Sequence, residues 1–224
     1  PAWIEIDADA IAHNVRESRR LVGPQVQIMA VVKANGYGHG LVPSARAALE
    51  GGASFLGVAI LEEALLLRDG GIQAPILVLG CGLPEHAADL VRHRISQVVS
   101  DRDMIAALSA EAVRQERRAS VHVKIDTGMS RVGCSLEDGP ALLRRAASMP
   151  GIALDGAATH FSQTEPRGLA SIQTQLGRFR GVLRHVELAP GTIRHAASSA
   201  SALLLPEARL DLVRLGLLVY GIPP

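Results

Sequence analysis

Eight short apolar runs, seven of them followed by a helical segment, predict an α/β chain folded as a closed (β/α)8 TIM barrel. Two observations carry the prediction. The runs are nearly unbroken in apolar residues, as strands of a parallel sheet buried on both faces must be. Eight strand–helix units also fit into 224 residues, within the range such barrels occupy. A doubly wound open sheet is the structural alternative, although eight units would be many for one.

In chain order, "WIEI" (3–6) alternates like a strand but has no obvious partner inside a barrel. Residues 7–22 read as a helix with Ile11, Val15 and Leu21 on roughly one face, placed to cover the seam between strands eight and one. "IMAVVK" (28–33) precedes a helix near 41–50, and "FLGVAI" (55–60) precedes "LEEALLLRDG", which glycine closes. "ILVLG" (76–80) precedes "PEHAADLVRH", with Pro84 suited to a first helical turn. "QVVS" (97–100) leads to a helix over 102–117, with Ser100 and Asp101 as candidate caps. "SVHVKID" (120–126) leads to a helix near 137–148, and "IALDGAATH" (152–160) to one near 168–186. "IRHAA" (193–197) leads to a short helix near 199–204, and "LDLVRLG" (210–216) comes last.

The composition narrows the function. With 48% hydrophobic residues and only 3% aromatic, the core must be built from Ala, Leu, Val and Ile. A net charge of +1 gives no field to attract nucleic acid or an acidic membrane, so neither is an expected partner. Cys81 and Cys134 form no C-x-x-C pair and read as free thiols of a reducing compartment. With no signal segment at residue 1 and no apolar stretch long enough for a bilayer, the expected location is cytoplasmic. No His or Cys spacing suggests a metal site, and no G-x-S-x-G suggests a serine hydrolase.

In such barrels the chemistry sits at the C-terminal ends of the strands. Here those ends carry Lys33, Lys124 with Arg131, His160, His195 with Ser198 and Ser199, and Arg214. A lysine at a buried strand end is partly desolvated, which lowers its pKa and frees its amine for a Schiff base; snorkelling to water is the bland alternative. Gly36, Gly38 and Gly40 would let backbone N–H groups approach a ligand, in neither a dinucleotide nor a P-loop spacing. Ser199, Gly216 and Leu217 occupy the places where barrels hold phosphate. Arg214 in an apolar strand needs either an ion-pair partner, with Asp211 to hand, or a ligand. Lys124 and Asp126 share a strand face, as an orienting cluster with Arg131 or as a salt bridge.

"AVVKANGYGHG" resembles the pyridoxal-phosphate lysine motif of alanine racemases. "KIDTGMSRVG", "THF", "RHAASSA" and "VRLGLLVYG" resemble that family's later motifs in the same order, so the likeness covers 1–224. It implies that Lys33 holds pyridoxal 5'-phosphate and acts as one base. It implies cofactor contacts from Tyr37, Ser198, Ser199, Gly216, Leu217 and Tyr220, with Arg214 facing the pyridine nitrogen and His160 supporting Arg214. Arg131 would meet the cofactor's phenolic oxygen and the substrate carboxylate, and Lys124 matches a lysine carbamylated in some members. Two departures stand out: Ser198 where the family usually has Asn, and Gly36 where it usually has Ala, the latter expected to be mild. The family continues into a C-terminal β-domain, absent from this sequence, that supplies the second base, a tyrosine, from the partner of a homodimer. The strand expected over residues 1–6, containing "WIEI", would join that domain. The expectation is therefore a PLP-binding fragment, monomeric on its own, of an enzyme that interconverts L- and D-alanine for peptidoglycan. The alternatives are a serine or broad-specificity racemase and a non-catalytic PLP-binding barrel, with a cofactor-free lysine aldolase as a further rival.

Overall fold

The computed structural model describes residues 3–163 and 168–224. Eight parallel strands form one sheet in the order β7-β6-β5-β4-β3-β2-β1-β8. They are β1 (Gln27–Val31), β2 (Phe55–Val58), β3 (Ile76–Val78), β4 (Ser96–Val99), β5 (Ala119–Lys124), β6 (Ile152–Ala158), β7 (Ile193–His195) and β8 (Leu212–Leu215). The end strands meet through Asp211 N–H to Arg194 O at 3.1 Å and Arg214 N–H to Ala197 O at 2.9 Å, which closes the cylinder. The barrel expected from the sequence is thus present, and the open-sheet alternative is not.

The sequence alternation divides the core into two layers. Met29, Leu77, Val98 and Leu212 point inward and fill the barrel, whereas Ile28, Ala30, Leu56 and Val121 belong to the larger layer under the helices. Those helices are α3 (Leu41–Glu50), α4 (Leu61–Asp69), α5 (Ala87–Arg92), α6 (Arg102–Arg114), α7 (Gly139–Ser148), α8 (Leu169–Leu183) and α9 (Ser199–Leu204). Asp101, not Ser100, caps α6, by accepting from Met104 N–H at 2.8 Å.

Helix α1 (Ala8–Val22) precedes the barrel and begins where the Asp7 carboxylate accepts Ala10 N–H at 3.0 Å. It packs on α3 and on the turn after β8, the place expected for it over the seam. A Cβ on Gly51 of the α3 end would lie 2.6 Å from Ala12 O, so the two helices touch backbone to backbone. The inward face is Ile11, Val15, Ser18 and Val22; Leu21, expected inward, is exposed. Residues 3–6 form no strand, and Trp3 and Ile4 are exposed. A strand exists only against a partner strand, and none lies beside this segment among the described residues.

Candidate active site

The chain leaves β1 at Val31 and turns at once. In the segment α2 (Lys33–Tyr37), Ala34, Asn35, Gly36 and Tyr37 have φ of 53°, 53°, 63° and 52°, a left-handed turn of four residues. Outside glycine, each such residue costs about 1–2 kcal/mol. Hydrogen bonds offset that cost. Gly36 N–H reaches Val32 O at 2.8 Å, Gly40 N–H reaches Asn35 O at 2.8 Å, and Asn35 Oδ1 accepts Leu41 N–H at 2.9 Å. Glu63, at the start of α4, accepts Ala34 N–H at 2.6 Å through one carboxylate oxygen and Ala59 N–H at 2.8 Å through the other. This corrects one expectation: the N–H groups of Gly36, Gly38 and Gly40 are spent inside the turn and are not presented to a ligand. The glycines shape the turn that presents Lys33.

Lys33, Tyr37, Lys124, Arg131, His160, Ser198, Ser199, Arg214, Gly216 and Leu217 all line one cavity of about 430 Å3 at the C-terminal mouth of the barrel. Among the described residues, four cationic side chains and no Asp or Glu side chain line it. That balance suits a ligand carrying more than one negative charge.

Arg214 is 7% exposed and has no carboxylate partner among the described residues. Asp211, its candidate partner, pairs with Arg194 at 2.7 Å at the other end of the strand. The guanidinium instead donates to His195 Nδ1 at 2.8 Å, His160 Nδ1 at 3.0 Å, Thr159 O at 2.8 Å and Ala196 O at 2.9 Å. An arginine can only donate, so both imidazoles accept through Nδ1 and carry hydrogen on Nε2. His195 Nε2–H then donates to His122 Nδ1 at 2.9 Å. Gly156 makes room for that ring, since a Cβ there would lie 2.1 Å from His122 Nδ1. Burial, then the Arg214 charge, holds His122 at about 4 and His160 at about 3, and keeps His195 well below the ordinary range. Burial also lowers Arg214 to about 10, which leaves it charged at neutral pH.

Lys124 is lowered to about 8 by burial, with Arg214 and Arg131 adding to the shift. It makes no salt bridge with Asp126 among the described residues. Asp126 Oδ1 accepts Gly128 N–H at 2.8 Å and Ser130 N–H at 3.1 Å, folding the loop that carries the exposed Arg131 to the rim.

The corner where the sequence places a phosphate lies between α9 and the end of β8. Ser198 caps α9, its N–H meeting Ser201 Oγ at 2.8 Å. Ser199 Oγ accepts Gly216 N–H at 3.0 Å, which leaves the serine's own proton free for a ligand. Gly216 N–H, expected to face phosphate, is thus spent on orienting Ser199. A Cβ on Gly216 would lie 2.6 Å from Tyr37 Oη, so the bare Cα admits the tyrosine hydroxyl to the same corner. Tyr220 does not line the cavity. Its ring sits between Tyr37 (centroids 5.0 Å) and His39 (4.8 Å), and its hydroxyl points at Val31 O at 3.4 Å. It backs Tyr37 and does not reach the corner itself.

Hydroxyls at one corner, buried donor-only arginine in the wall and an accessible lysine amine form a set of donors that fits pyridoxal phosphate. The profile of the family described as alanine racemase, N-terminal domain, matches residues 6–224. The chain belongs to this family. The alanine racemase of Desulforamulus reducens is 43% identical over 227 residues, which is all of this chain and 61% of that protein. The solved alanine racemase from Streptomyces lavendulae superposes with a TM-score of 0.88 at 39% identity, over 98% of this chain and 58% of that one. A histidine racemase from Leuconostoc mesenteroides also superposes with a TM-score of 0.88, at 29% identity, over 97% of this chain and 58% of its own. The chain thus spans about three fifths of the length of these alanine racemase relatives. Motif reading reached most of the wall but missed Glu63, the capping partner Ser201 and the backbone acceptors Thr159 and Ala196. A glutamate in the first turn of a helix after a strand was the one visible hint for Glu63.

Proposed function

We propose that the protein containing this chain is a pyridoxal-phosphate-dependent amino-acid racemase acting on alanine, and that this barrel holds the cofactor and one of two bases. The observation that supports it most is Lys33, set on a left-handed turn at a cavity with hydroxyl and cationic walls and no acidic side chain. The bound cofactor would supply an electron sink for a carbanion at the substrate Cα. Lys33 would move the proton at Cα on one face. Arg131 would hold the substrate carboxylate by paired N–H donors. Tyr37, Ser198 and Ser199 would hold phosphate, and Arg214, a donor only, would keep the pyridine nitrogen an acceptor. A carbamate on Lys124, whose amine is neutral enough to react with carbon dioxide, would give Arg131 the anionic partner that the cavity wall does not supply.

Inversion needs a second base on the opposite face of Cα. We assign it to a tyrosine outside this chain, contributed by the partner of a homodimer, with D-alanine passed to cell-wall peptidoglycan in the cytoplasm. A second reading, racemisation of another amino acid, is favoured by the likeness to the histidine racemase.

Titration with pyridoxal phosphate tests the assignment. A visible absorption band is expected, and its loss in Lys33→Ala; persistence of the band in that variant overturns it. Polarimetry with a panel of L-amino acids then reads the substrate. Little turnover is expected from the 224 residues and full turnover from the longer parent protein. Full turnover by the short chain overturns the assignment of the second base.

A further inference from the structure

We infer that Glu63 is a positioning residue for Lys33, a role that rests on the racemase reading of this site. Glu63 occupies the third position of α4, where a glutamate normally folds back to cap its own helix. Here one oxygen folds back past the N-cap, Ile60, to the preceding Ala59 N–H just beyond β2. The other crosses to the neighbouring unit and takes Ala34 N–H, the first amide after Lys33. One carboxylate therefore ties the end of β1 to the end of β2, with Lys33 adjacent to the tie.

The tie matters because the turn is costly. Ala34 and Asn35 hold left-handed conformations with little burial; both are exposed to water. Packing does not enforce their conformation. The remaining restraints on that side are Asn35 Oδ1 and the turn's own backbone hydrogen bonds. A charged acceptor on the Ala34 amide fixes the plane of the Lys33–Ala34 peptide and so the direction in which the lysine side chain leaves the backbone. Released, that amide can bond to water, so the fold loses little, while the aim of the amine broadens. Small misplacements of a reacting group carry large penalties in rate.

Glu63→Gln keeps one acceptor and Glu63→Ala keeps none, so their effects should be graded. Amide hydrogen exchange at Ala34 and Ala59 should accelerate, with Val121 in β5 unchanged. The rate at which pyridoxal phosphate is captured at Lys33, fixed by borohydride and read as peptide mass, should fall about tenfold in Glu63→Ala and less in Glu63→Gln. The melting temperature should stay within a few degrees. Unchanged exchange at Ala34 refutes the tie. Faster exchange with unchanged capture makes Glu63 a helix cap only and overturns the inference, as does slower capture accompanied by equal loosening at Val121. If the unaltered chain captures nothing, the racemase reading fails. The positioning claim is then decided by the backbone order parameter of Lys33, which must drop in Glu63→Ala for it to survive.

Discussion

The two sides of the cavity are built on opposite principles. On the β1–β2 side, Lys33 is aimed by backbone shape: a left-handed turn, exposed to water and tied by amide hydrogen bonds. On the β5–β8 side, Arg214 is aimed by side chains: a buried cation on two neutral imidazoles and two carbonyls, extended through a third imidazole. The first side spends conformational energy and little desolvation. The second spends desolvation, and Arg214, His122, His160 and His195 themselves have no positive φ. They should therefore fail under different insults, the first to an added methyl group and the second to a lost donor or an added proton.

The largest effect is expected at Arg214. Arg214→Met leaves two carbonyls and two imidazole nitrogens of the buried network without their donor, and should cost about 3–5 kcal/mol in urea unfolding. Arg214→Lys should recover part of this, because three donors of different geometry replace the planar fork. Lys33→Ala, the matching change on the other side, should shift stability by less than about 1 kcal/mol while abolishing cofactor capture. Equal losses of stability from both would erase the distinction between the two sides.

The same contrast explains what the sequence made legible. All eight strands could be read because strands buried on both faces appear as near-continuous apolar runs, most plainly in "IMAVV" and "ILVL", each followed by a helical segment. The positions of Lys33, Lys124, His160 and Arg214 followed from strand ends alone. The left-handed turn was not legible, because Ala34, Asn35 and Tyr37 carry no glycine signal and their φ is set by partners elsewhere. Arg214's partners were hidden for a second reason. His160 and His195 are 54 and 19 residues away, whereas Asp211, nearby in sequence, lies at the opposite end of the strand. Trp3 to Ile6 show the converse failure, since alternation signals a strand only where a partner edge exists.

Acid should separate the two sides next. His122, His160 and His195 all have folded pKa values below the ordinary 6.5, so below that pH the unfolded chain binds more protons than the folded one. Their contribution is fully present above pH 6.5 and is lost as pH falls toward 4. His122 and His160 can each cost up to about 1.4 kcal/mol per pH unit in that window, or about 2 kcal/mol apiece at pH 5, and His195 acts in the same direction. Urea midpoints should rise slightly from pH 7 to 8, where Lys124, lowered to about 8, begins to lose its proton in the folded chain first, and should drop as pH falls below 6.5. His122→Asn should reduce the slope below pH 6.5. A flat profile down to pH 5 would mean that the imidazoles protonate in place, and that the buried side is wetter than its geometry implies.

The smallest expected effect isolates the backbone side. Gly36 has φ of 63°, and a Cβ there would lie 2.6 Å from Ser44 Oγ and 3.1 Å from Ser44 Cβ. Ser44 is wholly buried on α3, and its Oγ makes no hydrogen bond of ordinary geometry among the described residues, although the Tyr220 hydroxyl is close enough to feel it. The pair therefore belongs together: the bare Cα leaves the space that the hydroxyl fills. Gly36→Ala should cost about 1–2 kcal/mol, part from the left-handed backbone and part from the contact. Ser44→Ala alone should cost less than about 1 kcal/mol, because it removes a hydroxyl whose one contact, with the Tyr220 hydroxyl, falls short of ordinary hydrogen-bond geometry. In the double variant the contact shrinks but the backbone strain stays, so the two changes should couple by about 0.5–1 kcal/mol. Simple additivity in a urea-denaturation cycle would show that the turn yields to the methyl group without touching α3. Lys33 would then be aimed by the turn's own hydrogen bonds and by Glu63, with no contribution from the helix behind it.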